Sequence, residues 1–128
     1  MTADCSTSRR ILLVVTDLML ESRVIEWARA LGYGVTVAST IQAVREALRS
    51  GPADLLVLDL QANGTRWRDV LAAAREAPNG PVPVLAYGQH TKPDLLRSAR
   101  NGGCDLAVPR SQLVEEFPAL IEQLRRRT

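Results

Sequence analysis

The chain has 128 residues, enough for one ordinary domain that hides roughly two thirds of its unfolded surface and needs no metal or disulfide to hold it. Sixteen basic residues face fourteen acidic ones, a net charge of +2 that is too balanced to argue for a nucleic-acid partner. Two cysteines outside any CxxC pair argue against a disulfide framework and agree with a reducing cytoplasm, and no apolar run reaches the length of a membrane span.

Residues 1–10 read as a polar, flexible leader without the apolar stretch of a signal peptide. The remainder, 11–128, alternates strand and helix five times. Ile11 to Val15 is wholly apolar, as a strand buried on both faces must be, and Asp17 follows it. Val24, Ile25, Ala28 and Leu31 are spaced for one helix face, and Gly32 suits a left-handed stop. Val35 to Ala38 reads as a second strand. Ser39 or Thr40 can cap a helix carrying Ile41, Val44, Ala47 and Leu48 on one side.

The third strand is Asp54 to Asp59, and Gln61 to Gly64 forms a loop. A helix follows through Trp67, Val70, Leu71 and Ala74. Pro83 delays the start of a fourth strand that ends at Ala86, and Pro93 suits the first position of the next helix. Gly102 and Gly103 end that helix, Leu106 to Val108 is a short fifth strand, and Ser111 can cap a final helix that Pro118 interrupts or restarts.

Alternating units of this kind imply an α/β fold in three layers, with a five-stranded parallel sheet between helices. Ligands of such sheets sit at the carboxyl ends of the strands. That edge would display Asp17, Asp59, Tyr87, Gly88 and Arg110. Neither GxGxxG, a P-loop nor GxSxG occurs, which argues against nucleotide binding and against a hydrolase nucleophile. His90, the one histidine, reads as a solvated loop residue, and Cys104 as a small buried hydrophobe. No catalytic residue is assigned.

The succession Val15-Thr16-Asp17, Leu56-Val57-Leu58-Asp59, Pro83-Val84-Leu85-Ala86 and Gly102-Gly103-Cys104-Asp105 resembles the receiver domain of bacterial response regulators in two-component systems, with its flavodoxin-like (βα)5 topology. The resemblance implies that Asp59 is the phosphoacceptor, and that Asp17, Asp59 and Gln61 form a weak Mg²⁺ site. A hard cation there would offset phosphoryl charge. It also implies a cytoplasmic signalling module that docks a sensor kinase or effector through its fourth helix, fifth strand and fifth helix, with no nucleic acid or membrane as partner and homodimerisation left open.

Three positions depart from the pattern. Thr16 stands where the family has a first metal acid. Ala86-Tyr87-Gly88 lacks the short hydroxyl expected at the fourth strand's end. Val108-Pro109-Arg110 replaces the family's Lys-Pro. The sequence therefore reads as an atypical or pseudo-receiver whose pocket also contains Thr16, Tyr87, Gly88 and Arg110. Local readings stand beside these roles: Asp59 as a loop cap, Asp17 as a helix N-cap, Arg110 as a surface residue. A flavodoxin-like ligand-binding or scaffolding domain without phosphotransfer is the alternative function.

Overall fold

The computed structural model describes residues 9–15, 17–61, 66–89 and 93–127. Thr16 and His90 lie outside them, as does most of the expected leader. Five strands alternate with five helices: β1 (Arg10–Val14), α1 (Leu18–Ala30), β2 (Gly34–Val37), α2 (Ile41–Ser50), β3 (Leu55–Asp59), α3 (Trp67–Arg75), β4 (Val84–Gly88), α4 (Pro93–Gly102), β5 (Leu106–Pro109) and α5 (Arg110–Arg127). All strand pairs are parallel, in the order β2-β1-β3-β4-β5.

The two-residue period of the strands splits the core into two layers. Leu12, Val14, Leu56, Leu58, Val84 and Ala86 face one way, against Val44 and Leu48 of α2, Val70 and Ala74 of α3, and Leu96 and Ala99 of α4. Ile11, Leu13, Leu55, Val57 and Leu85 face the other way, against Val24 and Ala28 of α1 and Leu113, Phe117 and Leu124 of α5. Being apolar on both faces is what made these strands legible as continuous runs. Phe117 is fully buried and packs on Trp27 with ring centroids 5.6 Å apart.

Helix ends follow local chemistry. The Thr40 hydroxyl accepts the Ala43 N–H at 3.1 Å and caps α2. At the other end of α2, the Arg10 guanidinium donates to the Ala47 and Gly51 carbonyls at 2.6 and 2.8 Å, placing a cation on the helix's negative end. Gly32, with φ +92°, closes α1 through the bonds Gly32 N–H to Arg29 O and Tyr33 N–H to Ala28 O, a Schellman arrangement. Leu31 is thereby left at the C-cap and exposed, rather than on the buried helix face its spacing suggested. The last helix begins at Arg110, one residue before the expected cap Ser111, and kinks at Glu116 ahead of Pro118.

Candidate functional site

The strand order reverses direction beside β1 and β3, and the carboxyl ends of these strands meet those of β4 and β5 at one edge. The same period that buries Leu55 and Val57 puts Asp59 next on that face, where the strand ends. Tyr87 is its register partner on β4, two residues beyond buried Leu85. Gly88 is paired with Pro109, which sets Arg110 at the start of α5. Asp17, Asp59, Gln61, Tyr87, Gly88, Gln89 and Arg110 together line a shallow cleft of about 160 Å³. Of the expected site residues, all but Thr16 fall in this cleft, and Thr16 lies outside the described residues. Gln89 is the one member that sequence reasoning missed; its position one residue past β4 was the available signal.

Asp17 is doubly engaged. One carboxylate oxygen accepts the Met19 and Leu20 N–H groups at 3.0 and 3.3 Å and caps α1. The other oxygen pairs with Arg110 Nη2. The hydrogen bond from Arg110, followed by the Leu20 N–H, holds the Asp17 carboxyl below its ordinary value of 3.8. Arg110 is therefore a pocket residue with a defined partner and not merely a surface residue preceding a helix. Its side chain remains about half exposed.

Asp59 accepts the Gln61 N–H at 2.9 Å, which tightens the turn after β3. The Gln61 side-chain oxygen accepts the Gln89 N–H at 3.1 Å and ties that turn to the end of β4. Tyr87 is buried, and its hydroxyl has no partner at ordinary hydrogen-bond geometry among the described residues. Burial, then the nearby Asp59 charge, pushes the phenol's pKa far above its usual value. The ring packs in the α1–α5 layer while the phenol stays near Asp59 and Arg110 at the cleft.

Mg²⁺ demands near-octahedral oxygen ligation. Here both Asp17 oxygens already accept hydrogen bonds, one Asp59 oxygen accepts a backbone N–H, and a guanidinium sits on Asp17. The set Asp17, Asp59 and Gln61 as arranged does not fit the ion. Among the described residues there is no cluster of three His, Cys, Asp or Glu side chains suited to a metal.

The fold is that of the receiver domain of TorR, the response regulator of a TMAO respiratory system, with a TM-score of 0.82 at 19% identity over 93% of this chain and 98% of that one. The chain has the response-regulator receiver fold. The non-phosphorylated HemR receiver domain of Leptospira biflexa superposes with a TM-score of 0.76, at 24% identity over 91% and 94% of the two chains. In sequence, the transcriptional regulatory protein QseB of Escherichia coli O157:H7 is 28% identical over 119 residues, which is 93% of this chain and 54% of QseB. This receiver fold thus spans about half the length of that relative. No family model matches the chain. No described helix is long and apolar enough to cross a membrane.

Proposed function

We propose that the chain is a receiver-type signalling domain of a two-component pathway, acting in the cytoplasm by docking a protein partner, with a pocket that works without phosphoryl transfer. The observation that supports this is the Arg110–Asp17 ion pair. It engages the remaining acid after β1 with the chain's own cation, while Tyr87, a long and buried side chain, stands at the end of β4. Phosphoryl transfer needs its developing charge neutralised by positioned cations and donors. In this pocket the acid that would hold a metal is committed to Arg110, and the short hydroxyl is absent. Asp59 then serves as a turn-forming residue in a pocket of receiver geometry. The docking face is α4, β5 and α5, with a sensor kinase or an effector as the partner class.

Intact mass after incubation with acetyl phosphate and Mg²⁺, with beryllofluoride in parallel, tests the reading. The expected result is an unchanged mass and unshifted amide signals around Asp59. An adduct that Asp59→Asn abolishes would instead establish Asp59 as a phosphoacceptor. The cleft of about 160 Å³ is small for a ligand-binding flavodoxin-like domain, which places that alternative second.

A further inference from the structure

Two carboxylates, Asp17 and Asp59, share one cleft with the guanidinium of Arg110. Without the guanidinium the acids would carry two negative charges at one edge, an arrangement that attracts a cation. With it the formal sum over these three side chains is −1. Arg110 reaches Asp17 from a fixed base. Its neighbour Pro109 is paired to Gly88 at the end of β5, and Arg110 is the first residue of α5. The cation is therefore preorganised by the sheet.

We propose that Arg110 is the resident cation of this pocket and that it excludes divalent ions by holding Asp17. Three observations carry the proposal. The Arg110 guanidinium lies directly on the Asp17 oxygen that does not cap α1. The capping oxygen is itself occupied by two backbone N–H groups, so an ion that recruits Asp17 without uncapping the helix must approach the oxygen that Arg110 holds. A divalent ion seated between Asp17 and Asp59 would also meet the guanidinium at close range, where like charges oppose one another. Competition is reciprocal: an ion that takes this Asp17 oxygen releases the Arg110 side chain. The pair is half exposed, so the exclusion is a competition and not a permanent block.

The proposal is independent of whether Asp59 takes a phosphoryl group, and its test uses no phosphodonor. Isotope-labelled full chain is titrated with Mn²⁺, whose unpaired electrons broaden nearby amide signals, and with Mg²⁺ as the diamagnetic control. The wild-type chain is expected to show no saturable broadening at residues 17–20, 58–61 and 87–89 in the concentration range where Arg110→Ala saturates. Arg110→Ala is expected to bind on the order of tenfold tighter or better. Arg110→Lys, which keeps the charge, is expected to stay close to wild type. Adding Asp59→Asn to Arg110→Ala is expected to abolish the gain. The amide spectrum reports folding of each variant, and Arg110→Met, which keeps the apolar stem, replaces the alanine variant if that one unfolds. Equal affinity in wild type and the charge-free variants, or saturable wild-type binding centred on Asp17 and Asp59 at the same concentration, overturns the proposal.

Discussion

Arg110 and Asp17 form an ion pair across 93 positions of the chain, joining the start of α5 to the start of α1. Strands β1 and β5, which precede these helices, are not neighbours; β3 and β4 lie between them. The contact therefore spans the carboxyl edge of the sheet, in the cleft that Asp59 and Tyr87 also line. Its effects on stability separate from those of the α1 cap, because Asp17 uses a different oxygen for each.

That separation predicts an order among variants. Asp17→Asn keeps a good N-capping side chain and loses the charge, whereas Asp17→Ala loses both roles. In urea unfolding the midpoint should fall for both and fall further for alanine, with an unchanged slope. The pH dependence has a definite sign. Arg110 lowers the folded-state pKa of Asp17 below the ordinary 3.8. Its contribution is then present above about pH 4 to 5 and fades as pH drops through the folded value. Arg110→Ala should remove part of that acid-limb loss. An acid limb unchanged in both Arg110→Ala and Asp17→Asn would show that the pair does not persist in solution.

Tyr87 yields a prediction at the opposite end of the pH scale. Its hydroxyl is buried and has no partner at ordinary hydrogen-bond geometry among the described residues, so little offsets its desolvation. Tyr87→Phe should leave stability unchanged or raise it, by up to about 1 kcal/mol in chemical denaturation. Burial and Asp59 raise the phenol's pKa, so the neutral form is favoured in the folded chain. That contribution is complete below the ordinary tyrosine pKa of 10.0 and is lost as pH climbs above it. Absorbance near 295 nm should show Tyr87 ionising only as the chain unfolds, and this coupled step should vanish in Tyr87→Phe.

Most of the fold was legible because β1, β3 and β4 lie buried on both faces and each helix carries an apolar stripe. Asp17 and Thr40 were readable as caps from residue type and position, and both act as caps. Leu31 was misplaced by periodicity, since Gly32 stops α1 before Leu31 can turn inward. The site was legible as a set of strand-end residues and not as a set of contacts. Asp59 and Tyr87 could be placed on one face by counting two from Val57 and Leu85. Nothing local marks Arg110 for Asp17, because that pairing depends on two non-adjacent strands ending at the same height.

Two glycines separate conformational need from mere presence in a turn. Gly103 ends α4 with φ +113°, and a Cβ there would lie 1.4 Å from Arg75 Nη2. Arg75 donates to the Gly102 carbonyl at 2.8 Å and is held over that turn. Gly103→Ala should cost about 1 to 3 kcal/mol, from backbone strain and displacement of Arg75. Gly51 follows α2 with extended φ of 168°, and nothing lies within 4 Å of its added Cβ. Gly51→Ala should therefore be neutral or slightly stabilising by restricting the unfolded chain. Equal losses at both positions in thermal unfolding would refute the assignment.

The helix that carries Arg110 is anchored chiefly beyond its kink. Glu116 departs from helical angles, and Pro118 follows, so Arg110 to Glu115 forms a short segment joined to the longer remainder. Phe117 sits at that junction, fully buried, against Trp27 of α1. Phe117→Ala should cost about 3 to 5 kcal/mol, the usual range for emptying a buried aromatic site. Its second effect should be local. With the junction loosened, the segment that positions Arg110 keeps only Leu113 as a fully buried anchor, and the Arg110–Asp17 pair should weaken with it. Amide exchange in residues 110–115 should then accelerate more than in α2 or α3, which pack on the opposite face of the sheet from Phe117. Uniform acceleration that includes α2 and α3 would mean that Phe117 stabilises the whole domain without specifically supporting the segment that holds Arg110 in the pocket.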